Sequence, residues 1–237
     1  MLNTEGIIFR QTRFKESSLI LDIFTREQGL QSFIINGVFT KKDQRLASVL
    51  QLMNIVQLVV YFNEHKNLHR IKEVNPSVLY KQIPFDIRRS AVGTFMLEVC
   101  RKSIKGFQVN EELFDFLKSR FISLDEIEQL NPYYPLFFLV DLSYHLGFNP
   151  LDNFSNTDNC FDLLNGTFCP QNLHNIHLVS PEESEQLAKL FRKLPPEEYL
   201  KSIEQRRKIM QHLLSFYKLH VDQFKELKSL DIFKEIF

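Results

Sequence analysis

The chain has 237 residues, with 29 Lys and Arg balanced by 29 Asp and Glu, and 44% of its residues are hydrophobic. This length allows one large domain or two small ones, each with a real core. No apolar run reaches the roughly 20 residues of a membrane span, and the N-terminus lacks the basic start and apolar run of a signal peptide. Three scattered cysteines exclude a disulfide framework. We therefore expect a cytoplasmic protein without a membrane segment.

The neutral total conceals an uneven distribution of charge. Residues 1–105 contain 16 Lys and Arg against 9 Asp and Glu, whereas residues 106–165 contain 2 against 10. The first segment can therefore face a polyanion such as nucleic acid, and the second cannot. The alternative interpretation is that the solvated faces of an ordinary protein happen to differ.

The N-terminal third has the pattern of an all-β domain. Five strands are predicted, at residues 6–12, 17–26, 30–36, 55–63 and 68–74. Gly29 supplies the positive φ for the turn between the second and third strands. The stretch between the third and fourth strands is polar and then apolar, which suits a loop with a short helix. This order predicts an oligonucleotide-binding (OB) barrel in residues 1–80.

Beyond the strands the apolar period changes from two to 3.6 residues, which predicts an all-helical domain over residues 81–237 and an α+β chain in two parts. A buried central helix is expected at residues 132–146, with Gly147 as its C-terminal cap. Residues 148–179 have little periodicity and form an irregular insertion that contains a small hairpin. Ser180 is the predicted N-cap of the next helix.

One helix is predicted with Val92, Phe95, Met96, Val99 and Cys100 on one face, and two others are predicted in this part of the chain. Asn110 caps the first of these two. Its inward face is predicted to carry Leu113, Phe116, Leu117 and Phe121. The second covers residues 197–220, with Ile203 facing inward.

Basic residues of the predicted barrel give the strongest functional signal. Cations neutralise phosphates and release counterions, and aromatic rings stack on bases with little sequence preference. The candidate DNA-binding residues are Arg10, Arg13, Lys15, Arg26, Lys41, Lys42, Arg45, Lys66, Arg70 and Lys72. The candidate stacking rings are Phe14, Phe24 and Phe39. The alternative for Phe24 is a place in the core, whereas Phe14 and Phe39 lie in predicted loops.

No catalytic constellation is present in the sequence. With 7 glycines in the whole chain a phosphate-binding loop is not expected, and seryl or cysteinyl nucleophile motifs are absent. The nearest approach to a metal site is the set Cys160, Cys169, His174 and His177. Zinc ligand pairs are normally two to four residues apart, and these cysteines are much farther apart. We expect no enzymatic activity, no zinc and no cofactor; a metal-dependent enzyme is an alternative that depends on these four residues.

Several stretches of the sequence resemble the RecO family of bacterial recombination mediators. At the N-terminus these are E-G-I-I-F-R from Glu5, E-S-S-L-I-L-D-I-F-T-R-E-Q-G from Glu16 and N-G-V-F-T-K-K-D-Q-R-L-A-S-V-L-Q from Asn36. The L-H-R-I-K-E-V strand from Leu68, the F-F-L-V-D-L-S-Y-H-L-G-F-N-P helix from Phe137 and the terminal L-K-S-L also match. The resemblance covers nearly the whole chain.

The resemblance implies an OB domain joined to a helical domain, no enzymatic turnover, and binding of single- and double-stranded DNA at the nucleoid. RecO proteins anneal complementary strands. With RecR, and in some settings RecF, they help to load RecA onto DNA coated by single-strand-binding protein (SSB), whose acidic, phenylalanine-ended tail they bind. Arg10, Arg26, Lys41 and Arg45 lie at matching positions and carry the DNA-binding expectation.

One departure from the family concerns zinc. Many members carry two C-x-x-C pairs after a Gly-Phe-x-Pro segment, whereas this chain reads L-D-N-F-S-N-T-D-N-C-F-D-L-L-N-G-T-F-C-P there. The simpler conclusion is a zinc-free insertion at residues 148–179, in which packing or a short hairpin replaces the metal.

The sequence therefore predicts a DNA-binding recombination-repair mediator. The alternative is an OB-fold adaptor that binds polypeptide and never touches DNA, which the acidic segment 106–165 and the 23 phenylalanines favour. Two basic clusters are candidates for binding protein partners, or equally for solvated helix faces. They are Arg101, Lys102 and Lys105, and Arg206, Arg207 and Lys208.

Overall fold

A computed structural model describes residues 1–39, 44–106, 108–172 and 174–231. The chain divides into two compact units, Met1–Glu128 and Gln129–Phe237. The first contains a β-barrel with three helices, and the second contains helices and a small hairpin. Within the described ranges no helix has the length and apolar character needed to cross a bilayer.

Five strands close into a barrel: β1 (Leu2–Phe14), β2 (Ser18–Thr25), β3 (Gly29–Asn36), β4 (Ile55–Tyr61) and β5 (His69–Pro76). Around the barrel the order is β1-β2-β3-β5-β4, with β3 and β5 parallel and the other pairs antiparallel. Helix α1 (Gln44–Val49) follows the third strand. This is the arrangement of an OB fold, so the fold predicted for the N-terminal part is confirmed. Gly29 has the expected positive φ, at 65°.

The first strand pairs on both of its sides, because residues 2–7 lie against β4 and residues 6–14 against β2. Gly6 belongs to both pairings. A Cβ at Gly6 would come within 2.5 Å of the Ile23 side chain. Glycine is therefore required where this strand passes from one partner to the other.

Two apolar layers form on the two sides of the barrel wall. The interior holds alternating residues of the strands, among them Ile8, Leu21, Ile23, Phe33, Leu58 and Val60. A β-bulge in β1 leaves Phe9 without an opposite residue, since Ile8 pairs with Ile23 and Arg10 with Asp22. Ile7, Ile8 and Phe9 are all buried, and Phe9 packs on Phe24 in a second layer outside the barrel.

Two helices complete the first unit: α2 (Ile87–Ser103) and α3 (Glu111–Glu126). Asn110 caps α3 as predicted, because its side chain accepts a hydrogen bond from the Leu113 amide. The inward face differs from the prediction at one position. Phe114 is fully buried, whereas Phe116 is half-buried beneath the Arg120 guanidinium.

Two buried charged side chains hold α2 and the segment before it against the end of α3. The Asp125 carboxylate accepts hydrogen bonds from the backbone amides of Lys81, Gln82 and Ile83, each at 2.8 Å. The Arg89 guanidinium donates to the carbonyls of Leu124 and Ile127 at 2.6 Å. Both helices thus belong to the compact unit of the barrel. The division of the chain into an OB domain at residues 1–80 and a helical domain at residues 81–237 stays a prediction.

The second unit contains α4 (Tyr134–His145), β6 (Cys160–Asp162), β7 (Thr167–Cys169), α5 (Pro181–Phe191), a 3-10 turn (Pro196–Glu198) and α6 (Ile203–His220). Gly147 ends α4 as predicted, with φ of 81° and a hydrogen bond from the Phe148 amide to the Ser143 carbonyl at 3.1 Å. Ser180 caps α5, and the hairpin in the insertion is present.

Helix α6 begins later than the sequence predicts. Ser202 and Gln205 form a reciprocal capping box, which fixes the first turn at Ile203. Because Ile203 lies in this first turn it is 51% exposed, so its predicted inward orientation is wrong.

Replacing Asp125 with asparagine should lower the free energy of unfolding by about 2 kcal/mol, because a neutral amide accepts these hydrogen bonds more weakly. Burial raises the pKa of Asp125, but the three backbone hydrogen bonds and Arg89 outweigh it and leave that pKa below its ordinary value. The stabilisation is therefore complete above the unfolded-state pKa of about 3.9 and is lost as the pH falls through the lower folded-state pKa. Urea denaturation at several pH values measures this difference.

Glu126→Gln is the matched control, because Glu126 is the exposed neighbour of Asp125 on α3. It should unfold like the wild type at every pH. An Asp125→Asn difference that stays constant from neutral to acid pH would contradict the role assigned to the carboxylate.

Candidate nucleic-acid interface

Near the turn between β2 and β3 the outer face of the barrel is covered by α3. The Arg26 guanidinium donates from Nε and Nη2 to the Asp115 carboxylate at 3.1 and 3.0 Å, and its Nη1 lies 2.8 Å from Glu111 Oε2. The hydrogen bond from Arg26 lowers the pKa of Asp115. Close by in sequence on α3, Lys118 donates to the Glu5 carboxylate at 2.7 and 2.8 Å. Arg26 is thus engaged by carboxylates, in place of the phosphates that the sequence predicts for it.

Phe24 belongs to the apolar layer beneath α3. Its ring is 1% exposed and lies 5.6 Å from the Phe9 ring and 6.0 Å from the Phe114 ring. Phe24 points away from the barrel interior, as the strand alternation predicts, but a helix distant in sequence covers it. Its interpretation as a base-stacking ring is therefore wrong, and the alternative place in the core is correct.

Farther along the same strands the outer face is open. Thr12, Ile20, Ile34, Arg70 and Tyr61 are successive neighbours on β1, β2, β3, β5 and β4. We call these five residues the open row. Its centre is made by two half-buried isoleucines, while the residues at both ends are exposed.

Beside the Thr12 end of the open row lie two pairs of a cation with an aromatic ring. The Arg13 guanidinium is 4.9 Å from the centre of the Phe39 ring, and Lys15 Nζ is 5.4 Å from that of Phe14. Phe14 and Phe39 are 41% and 47% exposed. Four of the residues that the sequence selects are therefore exposed in the first unit as two cation–π pairs.

At the other end of the open row Arg70 is exposed, and among the described residues no carboxylate pairs with it. Lys72 is exposed two positions farther along β5, and its Nζ lies 3.0 Å from Glu73 Oε1. Lys66 is exposed in the loop that joins β4 to β5. These three predicted cations thus occur together around the start of β5.

A buried histidine anchors this loop. The Asn63 amide donates to His69 Nδ1 at 3.4 Å, so Nε2 carries the proton and donates to Gln31 Oε1 at 3.3 Å. The His69 ring stacks on Phe62 at 4.4 Å. Burial lowers the pKa of His69, which keeps it neutral at physiological pH. The loop is therefore held by packing and hydrogen bonds that do not involve its cations.

The remaining predicted DNA-binding residues have different surroundings. Arg10 is exposed, with its Nη1 3.9 Å from Asp22 Oδ2, and Arg45 is exposed on α1. Lys41 and Lys42 lie outside the described residues.

Tyr61 is a residue that the sequence analysis missed. The alternation in β4 contains the signal, because Leu58 and Val60 face the interior and Tyr61 must then face outward. It is 51% exposed. The open row and its neighbours therefore present rings and cations around an apolar centre, a surface able to hold phosphates and unpaired bases at once.

The two basic clusters proposed for protein partners are partly engaged. On α2, Lys102 Nζ lies 3.1 Å from Glu98 Oε1, while Arg101 is exposed. On α6 the Arg206 guanidinium is 5.6 Å from the centre of the Tyr133 ring. Lys208 Nζ is 3.6 Å from Glu183. Lys105 and Arg207 are exposed.

An open cleft of 430 Å³ lies between the end of α6 and the segment that follows it. Its lining contains neither of the two clusters. The apolar lining residues are Leu214, Phe224, Leu227 and Leu230, and the charged ones are Lys218, Lys225, Glu226 and Asp231.

The insertion is organised by the hairpin of β6 and β7. Cys160 is buried and lies opposite Cys169 in the strand register. Burial raises the pKa of both thiols. The amides of His174 and His177 donate to Asn172 and Asn175 side chains in two local turns. Within the described part of the chain, no three His, Cys, Asp or Glu residues are arranged to hold a metal ion.

Two family models together match most of the chain. The model described as "Recombination protein O N terminal" matches residues 1–80, and that described as "Recombination protein O C terminal" matches residues 84–231.

Curated relatives match over their full length. A protein of Flavobacterium johnsoniae named DNA repair protein RecO is 30% identical over 240 residues, covering 100% of this chain and 99% of the relative. Proteins with the same name from Flavobacterium psychrophilum and Bacteroides fragilis are 29% and 30% identical, covering 99% or more of this chain and at least 98% of each relative.

Proposed function

Because this chain belongs to the RecO family of DNA repair proteins, we propose that it is a DNA-binding recombination mediator. In this proposal it binds single- and double-stranded DNA and anneals complementary strands. With RecR, and RecF where it is needed, it helps to load RecA onto single strands coated by SSB. It acts in the cytoplasm at the nucleoid.

The observation that carries this proposal is the open row with its flanking cations. Arg13 and Lys15 lie near one end and Arg70 and Lys72 at the other, with apolar side chains between them. A phosphate backbone crossing the β2–β3 face would meet cations at both margins. Of the ten predicted DNA-binding residues, Arg26 is the one we leave out, because Asp115 and Glu111 already neutralise it.

Few aromatic rings lie on this face, and this determines how we expect it to hold a single strand. Contacts to phosphate hold the backbone without reading sequence, and one or two stacked bases keep the strand extended. The remaining bases stay accessible to a complementary strand, which is what annealing requires. No step of this function makes or breaks a covalent bond, and we propose no enzymatic activity.

The alternative function is an OB-fold adaptor that binds polypeptide without touching DNA. The acidic residues of α3 and the exposed rings favour it. However, Glu111 and Asp115 of the acidic segment are held by Arg26 within the same unit. These two carboxylates are consequently poor candidates for recruiting a basic partner, and the DNA-binding proposal is preferred.

Replacing Arg13 and Lys15 together with alanine should weaken DNA binding equally for all sequences, because phosphate contacts are lost. In a plot of log affinity against log salt concentration, the slope for single strands should become shallower by about 0.7 for each contact removed. Titration of labelled oligonucleotides at several salt concentrations measures both effects. The same double variant should anneal SSB-coated complementary oligonucleotides more slowly than the wild type.

Arg26→Ala is the control, because Arg26 carries the same charge on the same barrel but is bound by carboxylates. Its affinity and salt slope should match those of the wild type. An equal loss in both variants would show that the interface is wrongly placed, and a wild-type affinity that does not respond to salt would refute DNA binding through phosphates.

For the acidic, phenylalanine-ended SSB tail we propose the cleft at the end of α6. Its apolar lining suits a phenylalanine ring, and Lys218 suits a carboxylate. Changing Lys218 to glutamate should weaken binding of such a peptide about tenfold, since one charge-assisted contact is lost. Fluorescence anisotropy of the labelled peptide provides the measurement. Arg101→Glu, in the basic cluster on α2, should leave the affinity unchanged; the reverse pattern would assign the tail to that cluster.

We also propose that the insertion folds without zinc. Metal analysis of protein purified without chelator should give no stoichiometric zinc, and added chelator should leave the thermal unfolding curve unchanged because the hairpin is held by packing. A one-to-one zinc content would overturn this proposal.

A further inference from the structure

Tyr61 and Arg70 form an exposed pair on adjacent strands. Tyr61 is the last residue of β4 and lies directly opposite Arg70 in the register with β5. Their neighbours Val60 and Ile71 also lie opposite each other and are buried in the barrel interior. The alternation of a strand therefore turns the Tyr61 ring and the Arg70 guanidinium to the outside.

A β-bulge brings a second cation to this pair. Val59 pairs with Glu73 and Val60 with Ile71, which leaves Lys72 as the extra residue on β5. Bulges re-aim side chains at the edges of barrels, and here Lys72 is exposed. Arg70 and Lys72 are two residues apart, about 7 Å along the strand. Two cations thus lie on β5, the strand next to Tyr61.

These residues surround an open depression. Its volume is 470 Å³, and Tyr61, Arg70, Ile71 and Lys72 line it. Glu73 offsets part of the Lys72 charge, whereas among the described residues no acidic side chain pairs with Arg70. The depression therefore combines one exposed aromatic ring with a net positive charge.

We propose that this depression binds one unpaired nucleotide of single-stranded DNA, with its base stacked on the Tyr61 ring and its flanking phosphates held by Arg70 and Lys72. This inference rests on the proposed DNA-binding function and deepens it. A stacked ring next to cations is the chemistry that recognises a nucleotide in single-strand-binding surfaces. A ligand with carboxylates alone would use the cations but not the ring.

The Tyr61 ring should contribute differently to the binding of single-stranded and of double-stranded DNA. In a duplex the bases are already stacked on each other and paired, so the Tyr61 ring has no base to receive. Phosphate contacts from Arg70 and Lys72 serve both kinds of DNA. Tyr61 should therefore contribute to the binding of single strands only.

Tyr61→Ala tests this directly. Its affinity for an oligo-dT single strand should fall about tenfold, because one base-stacking contact is lost. Its affinity for duplex DNA, and for an abasic single strand of the same length, should equal that of the wild type. Tyr61→Phe keeps the ring and should bind oligo-dT as the wild type does. Tyr144→Ala, which removes an exposed tyrosine from the second unit, is the matched control and should have no effect.

A spectroscopic readout is independent of affinity. The chain has no Trp and 7 Tyr, so its intrinsic fluorescence comes from tyrosine. Saturating oligo-dT should quench part of this emission in the wild type, and Tyr61→Ala should lose that part of the quenching. Abasic DNA should not quench this part of the emission.

The outcomes separate this inference from the function on which it rests. If the wild type binds oligo-dT and Tyr61→Ala binds it equally well, the inference is wrong and the DNA-binding proposal stands. If Tyr61→Ala loses affinity for single-stranded, abasic and duplex DNA alike, the ring has only a structural role and the inference again fails. If the wild type binds no DNA at low salt, the proposed function itself is refuted.

Discussion

Gly6 pairs with Thr25 on one side and with Val56 on the other, and this double pairing closes the barrel. In the closed barrel each strand has a hydrogen-bonded neighbour on both sides, although β3 and β5 pair at only two positions. The interior is filled by buried apolar side chains, among them Phe33, Leu58 and Val60. Any binding function of the barrel must therefore use its outer face or its loops. That outer face is divided, since α3 covers the part around Phe24 and leaves the open row exposed.

The division of the outer face also explains how a neutral chain can present a basic surface. On α3, Glu111 and Asp115 pair with Arg26. In a further pair the charges are reversed, because Lys118 of the same helix is the cation and Glu5 of the barrel is the carboxylate. These pairs together favour one position of the helix along the barrel, because a shift would place like charges together. Glu111 and Asp115 are thereby held at Arg26, and they do not neutralise the cations around the open row.

Local patterns in the sequence were sufficient for the order of the elements and for several of their ends. Gly29, Asn110 and Ser180 each act through residues within a few positions, so the turn and the two caps could be predicted. The environment of Phe24 and Arg26 could not be predicted, because both residues contact a helix about 90 residues later in the chain. The same distance explains why Phe114 is buried and Phe116 is only half-buried, because Phe114 is the ring that meets Phe24. Tyr61 differs from these cases, because the alternation of β4 already predicts its outward position.

In the insertion, side chains close a turn and supply a compact centre. A structural metal closes a loop and supplies a compact centre. Here the Asp162 carboxylate closes the turn by accepting hydrogen bonds from the amides of Leu164 and Asn165. The ring of Phe161 supplies the centre, 4.9 to 5.8 Å from those of Phe168, Phe191 and Phe216. Zinc binds thiolate, and the burial that this packing creates raises the pKa of the Cys160 thiol and so disfavours that form. The aromatic centre thus supports the proposal that the insertion folds without zinc.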